Sequence, residues 1–280
     1  KFYGLSTLRT GLEKSRNLMT VRIAQKIGVD KIAKFSNQLG IYEKPEKLLS
    51  ISLGSAETTL LKLTSAYAAF INGGKLVEPI IIDRIQDSQG NTIINNEKRT
   101  CVNCKEISFL SKEYPKVKDN YKQVFSAQTA YQITSLLEGV IQRGTGKKLR
   151  SLKLNLAGKT GTTNENTDTW FIGFTSNLLI GVYVGMDNPK PLGKYETGSK
   201  VALPIFGNFV KKSIKKSDAR PFKVADGMTM MVVDVANGQK AKFSSKDTII
   251  EAYKNNNVIG GKVLYSNNNR LDINNILRFY

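Results

Sequence analysis

The stretch LNLAGKTGTTNENTDTWFIGFTSNLLIGVYVG, residues 154–185, decides how the rest of the chain is read. Three strand-like runs, "NLAGKTGTT", "TWFIGFTS" and "LLIGVYVGMDN", follow one another with only short polar connections. That spacing predicts antiparallel neighbours, with the GKTGT run on an edge. In the segments that flank this block the apolar period is helical. The expected class is therefore α+β, an antiparallel sheet flanked by helices.

Working outward, "SAQTAYQITSLLEGVIQRGTG" reads as an amphipathic helix opened by Ser126 and closed by Gly144. "ALPIFGNFVKKSIKK" reads as another helix, its cationic end suited to the helix dipole. Further upstream, "SAETTLLKLTSAYAAFINGGK" places Leu60, Leu63, Tyr67, Phe70 and Ile71 at helical spacing before Gly73 and Gly74. "TLRTGLEK", "LMTVRIAQKIG" and "VDKIAKFSNQLG" predict three short helices near the start, the latter two ended by Gly28 and Gly40. Ser15, Arg16 and Asn17 lie between the first two and suit a helix junction better than a helix interior. "IIIDRIQDSQGNTII" predicts a hairpin turning around residues 88–91, and residues 95–122 read as polar and irregular. From Asp218 a tail follows, with a strand pair expected in "MTMMVVDVANGQKAKF" and then "DTIIEAYKNNN". The expected division is 1–217 for the main domain and 218–280 for an extension.

The 280 residues, 40% of them apolar, can bury a sizeable core. No run of about 20 apolar residues occurs, so no segment of this sequence spans a bilayer as a helix. The chain opens at Lys1, not Met, and is expected to be a processed or truncated piece. The formal charge of +19 would suit an anionic polymer or membrane surface. Its lysines are spread along the chain, with short clusters only at Lys211–Lys212 and Lys215–Lys216, and no RNA-recognition or zinc-finger spacing accompanies them. Nucleic acid is not an expected partner. Histidine is absent, which removes Ser-His-Asp, Cys-His and His-based metal chemistry and leaves Lys, Tyr and carboxylates for proton transfer. No metal and no cofactor is expected. Cys101 and Cys104 form a lone CxxC, read either as a disulfide or as two inert thiols.

GKTGT itself has three possible meanings. A phosphate-binding loop needs G-x-x-x-x-G-K-[ST] between strand and helix, but Lys153 stands where the first Gly belongs and another strand follows. A plain turn does not fit the flanking strand-like residues. On an edge strand, Gly158 and Gly161 admit a close neighbour, and Thr160 and Thr162 share one face of the pleat while Lys159 starts from the other. A long Lys side chain can bend back over the edge. Hydroxyls, an ammonium and exposed backbone N–H groups then form a receptor for a carboxylate or an oxyanion.

Several blocks in order carry a family resemblance: Ser15–Asn17 in "TLRTGLEKSRNLMTVRIAQKIG", then "ISLGSAETTLLKLTSAYAAFINGGKLVEPIII", "FSAQTAYQITSLLEGVIQRGTGKKL" and "LAGKTGTTNENTDTWFIGFTS". Together they resemble the transpeptidase domain of class A penicillin-binding proteins, with Ser15 and Asn17 in an S-x-N motif and Lys159–Thr160–Gly161 in K-T-G. The resemblance implies the penicillin-binding transpeptidase and serine β-lactamase fold, N-terminally incomplete. It also implies D,D-transpeptidase chemistry on peptidoglycan stem peptides through an acyl-serine, with β-lactams as inhibitors. Lys159 would present positive potential to the substrate carboxylate, and Thr160 and Thr162 would bind that carboxylate. Gly161 and Thr162 would line the substrate, and the Thr162 N–H would be half of an oxyanion hole. Ser15 would sit on the proton path to the leaving amine, and Asn17 would orient the substrate amide.

In the family an S-x-x-K motif, bearing the nucleophile, precedes S-x-N. Here the S-x-x-K string is Ser213–Lys216, after K-T-G and in the last helix, where its order is wrong. The nucleophile is therefore not expected in this chain, and neither is acylation of the chain alone. By the resemblance, the parent protein works on the outer (periplasmic) face of the bacterial inner membrane, held by an upstream anchor. The competing expectation is a non-catalytic cell-wall-binding or scaffolding fragment that uses its positive charge to hold anionic polymer.

Overall fold

The computed structural model describes residue 4 and residues 6–97, 99–102, 104, 116–215 and 220–255, with the backbone of residues 263–265. Three helices open the chain: α1 (Leu8–Glu13), α2 (Asn17–Ile27) and α3 (Val29–Gln38). Thr7 caps α1 by accepting from the Thr10 N–H, and Gly28, at φ +91°, reverses the chain between α2 and α3 in a conformation that side chains avoid. α4 (Leu60–Ile71) is capped by Thr59, and α5 (Ala127–Gln142) by Ser126. Between them project two exposed ribbons, β1 (Arg84–Gln86) with β2 (Thr92–Asn95) and β3 (Thr100–Val102) with β4 (Lys116–Lys118). Cys101, in β3, is disulfide-bonded to Cys104. β3 and β4 correct the irregular reading of residues 95–122. Strands this short carry too little period for the sequence to declare them.

The central sheet is β5 (Ala157–Thr162), β6 (Thr169–Phe174) and β7 (Leu179–Val184), antiparallel throughout, with β5 on an edge. Alternation along the strands divides its side chains between two helical layers. Ala157, Phe174 and Leu179 are cross-strand partners, and they pack with Leu137 and Val140 of α5, Tyr67 and Phe70 of α4, and Leu12 of α1. Phe171, Ile180 and Val182 face the other way, onto Leu203, Phe206 and Val210 of α6 (Ala202–Ser213). The Phe171 and Phe206 rings meet edge to face at 4.7 Å. Each such ring removed from water contributes about 1.5–3 kcal/mol, so the two clusters hold the sheet between its layers.

The tail forms a second sheet, order β10-β8-β9, from β8 (Met228–Asp234), β9 (Thr248–Lys254) and β10 (Val263–Tyr265). The expected strand pair within residues 228–243 closes for a single bridge, Val233 to Lys240. The long ladder of β8 runs instead with β9, whose Ala252 is buried, whereas Lys240 and Lys242 offer nothing to bury. Lys216 and residues 266–280 lie outside the described residues.

One charged cluster ties the layers together. Glu13, at the end of α1, is only 2% exposed, and its carboxylate accepts from Arg143 Nη2 (2.6 Å), Arg143 Nε (3.2 Å) and Arg9 Nη1 (3.4 Å). Its carbonyl accepts from the Thr145 N–H at 3.1 Å. The carboxylate lies directly on Gly139 of α5, where a Cβ would fall 1.9 Å from Glu13 Oε1. Replacing Gly139 by Ala is therefore expected to lower the unfolding free energy by about 3 kcal/mol, because it displaces a buried, paired carboxylate. Helix propensity alone would favour Ala by roughly 1 kcal/mol. Urea unfolding of Gly139→Ala decides the sign.

Candidate active site

Ser15 occupies the turn between α1 and α2 at φ +52°, a left-handed conformation that a non-glycine residue holds only when its surroundings impose it. The imposed geometry follows from the end of α1, where the Ser15 N–H donates to Leu12 O and the Arg16 N–H to Gly11 O. α2 begins at Asn17 with no side-chain cap on its first turn, so the Ser15 hydroxyl is not a helix cap. It accepts instead from Lys159 Nζ at 2.7 Å. This contact joins two segments 144 residues apart.

Lys159 stands opposite Ile172, on the face of the sheet that carries α1, α4 and α5. Its ammonium also donates to the carbonyl of Thr160 at 2.9 Å, so the side chain does bend over the strand edge. The Thr163 N–H donates to Asp168 O across the β5–β6 connection. By alternation, the N–H groups of Thr160 and Thr162 then point to the free edge of β5. Burial pushes the Lys159 ammonium down to about 8 from an ordinary lysine's 10.5. An amine so placed gives and takes a proton near neutral pH, with a serine hydroxyl as its immediate partner.

Thr160 and Thr162 start on the α6 face. The Thr160 hydroxyl shares a hydrogen bond with Thr145 Oγ1 at 2.8 Å, and the Thr162 hydroxyl accepts from the Gly198 N–H at 3.0 Å. Having accepted, the Thr162 hydroxyl keeps its proton for an anion at the edge. Beyond Lys159 on the same face lie Gly161, Trp170 and Tyr183, directly paired across the three strands. The Trp170 and Tyr183 rings are 4.6 Å apart, and the Tyr183 hydroxyl donates to Asp168 Oδ1 at 2.7 Å. Lys159 thus marks the border between the helix-covered sheet and an open aromatic floor. Among the described residues no group of His, Cys, Asp and Glu could hold a metal ion.

The model of the penicillin-binding protein transpeptidase domain matches residues 2–211. The chain belongs to the penicillin-binding transpeptidase family. Penicillin-binding protein 1A of Rickettsia conorii is 45% identical over 262 residues, covering 92% of this chain and 32% of that protein. Its Pseudomonas aeruginosa counterpart is 30% identical, covering 91% and 35%. The chain therefore spans about a third of the length of these curated relatives. Among solved structures, penicillin-binding protein 1A from Haemophilus influenzae superposes with a TM-score of 0.76 at 30% identity, over 91% of this chain and 40% of that one. The Mycobacterium tuberculosis protein PonA1, solved with penicillin V, shares the fold at 19% identity and a TM-score of 0.56, over 80% and 61%.

Within this member of the family, Ser15, Lys159, Thr160, Gly161 and Thr162 gather along one strand edge, and Asn17 stands exposed at the start of α2. Ser213 does not join them, because it ends the helix on the opposite face of the sheet. The sequence reading missed Thr145, taken only as part of a helix end, and the Gly198 amide. It also passed over Arg9, Glu13 and Arg143. Trp170 was discoverable, since an antiparallel register places it across from Gly161.

Titration supplies the check on this geometry. The carbon-13 resonance of the Lys159 Cε is expected to move with a midpoint near 8, separate from ordinary lysines. Because the folded form releases this proton first, stability contributed by Lys159 rises with pH from about 8 to about 10.5. A midpoint at 10.5 contradicts the burial of the amine.

Proposed function

We propose that this chain forms the substrate-binding wall of a D,D-transpeptidase that cross-links peptidoglycan stem peptides. The observation that carries the reading is the 2.7 Å contact between Lys159 of K-T-G and Ser15 of S-x-N, in a chain of this family. In the proposed reaction a serine attacks the penultimate D-Ala carbonyl, and the terminal D-Ala departs with a proton on its amine. The acyl group then passes to an amine of a neighbouring stem peptide, or to water in the carboxypeptidase side reaction.

Ser15 lies on the path of the proton delivered to the leaving amine, and Lys159 supplies and recovers it. Lys159 also places positive potential at the terminal carboxylate, which the Thr160 and Thr162 hydroxyls bind. The edge-facing N–H of Thr162 is one oxyanion donor, a contribution of about 3 kcal/mol to the transition state. Asn17 and Gly161 position the donor peptide. A β-lactam offers the same carboxylate and carbonyl, so it is bound by the same groups. The attacking serine belongs to an S-x-x-K motif that does not occur in these 280 residues in the family's order. On this reading the protein works at the outer face of the bacterial inner membrane.

Incubating the chain with a fluorescent penicillin is expected to give no covalent band on a denaturing gel; a band would overturn the assignment of the nucleophile. In a protein that carries both this region and an S-x-x-K serine, Lys159→Ala is expected to slow penicillin acylation by about 10²–10⁴-fold. An unchanged rate would remove Lys159 from the mechanism.

A further inference from the structure

α1 has six residues, too few to hold helical form without tertiary contacts, so whatever anchors it also aims the Ser15 turn at its end. Besides the packing of Leu12, two charged anchors stand four residues apart. The first is Glu13, fixed to Arg143 of α5. The second is Arg9, 5% exposed, whose five N–H donors are all engaged. Nη1 donates to Glu13 Oε1 (3.4 Å) and to Ser135 O (2.9 Å), and Nη2 to Ser135 Oγ (2.9 Å). Nη2 and Nε then grip both oxygens of Glu251. Glu251 belongs to β9, in the C-terminal sheet, which lies beyond residues 2–211 matched by the family.

That sheet is a firm platform. β9 pairs with β8 along seven residues, and it docks on α5 where Gln132 Nε2 donates to Ala252 O and Lys254 Nζ to Thr129 Oγ1, both at 2.9 Å. A bidentate arginine–carboxylate pair fixes direction as well as distance. Glu13 holds the end of α1, and Arg9, one turn away, adds a second fixed direction that restrains its rotation.

We propose that Glu251 is a positioning residue for the transpeptidase site: by clamping Arg9 it fixes the rotation of α1 and hence the approach of Ser15 to Lys159. The inference rests on the reading of Ser15 and Lys159 given above. It makes the C-terminal sheet part of the catalytic apparatus.

Charge balance sharpens the effect. Arg9 and Arg143 face Glu13 and Glu251, two cations against two anions. Nearby Glu138 on α5 is pushed up to about 7 by burial, although both arginines pull it down. Without the Glu251 charge, Arg9 keeps, among anions, only its 3.4 Å bond to Glu13 and the weaker pull of Glu138. Arg9 then competes with Arg143 for the carboxylate that sets the end of α1.

Lys159 reports the outcome, because its basicity is lowered by burial and its ammonium donates directly to the Ser15 hydroxyl at 2.7 Å. The experiment follows the Lys159 Cε titration in the 280-residue chain carrying Glu251→Gln, with Arg9→Lys as a second variant that keeps the charge but loses the fork. Both are expected to move the midpoint from about 8 upward by about one pH unit, a tenfold gain in proton affinity. Glu251→Asp, which retains the charge, is expected to recover part of the shift. Midpoints unchanged from wild type, even with lowered melting temperatures, would make Glu251 an element of stability alone and overturn the proposal. A wild-type midpoint at the ordinary lysine value would overturn it too. Adding a D-Ala-D-Ala-terminated peptide to wild type separates the two readings. A Lys159 resonance that ignores the peptide counts against the function, and the comparison of variants stands regardless.

Discussion

A carboxylate at 2% exposure cannot stay ionised without partners, and the pairing of Glu13 is the constraint from which the site follows. Arg143 brings the end of α5 to it, Arg9 brings the start of α1, and Gly139 leaves room for its oxygens. Once Glu13 is seated, its carbonyl receives the Thr145 amide, and the Thr145 hydroxyl meets that of Thr160 on β5. Two residues further on, Ser15 takes a left-handed turn, and the turn delivers its hydroxyl to Lys159. The network does not need to be a large source of net stability. Its value lies in allowing one arrangement of α1, α5 and β5.

The sheet contributes the other coordinate. Cross-strand pairing forces Ala157, Lys159 and Gly161 onto one face, and the three positions sample three environments: packed core, border and open floor. Lys159 is buried enough to lose basicity and close enough to the free edge of β5 to reach the carbonyl of Thr160. Shifting the register by one residue would exchange the Lys159 and Thr160 faces and dissolve the site. The packing of Ala157 with Leu137 and Val140 guards against that slip, because Ala157 would leave its cluster.

Much of this was legible in the residues. Helices ended at Gly28 and near Gly144, the three strands fell where their patterns placed them, and GKTGT lay on an edge because no strand-like run precedes it closely. Two kinds of feature were not. Short strands such as β3 and β4 carry too little period to announce themselves, and the partner of β8 depended on which downstream segment had apolar surface to bury. The charged cluster was invisible for a different reason. Arg9, Glu13, Arg143 and Glu251 are common residue types spread over 243 positions, and nothing local distinguishes a buried ion pair from a solvated one.

By itself, then, the sequence determined the α+β class, the family, the edge-strand setting of K-T-G and the residue types available for chemistry without histidine. Local period, turn residues and motif order are properties of neighbouring positions, and they survive in one dimension. Tertiary structure alone decided that Lys159 meets Ser15, that its amine loses water and basicity, and that a carboxylate from the C-terminal sheet steadies the helix beneath the serine. Those outcomes depend on desolvation and on distances between segments remote in the chain, which only packing sets.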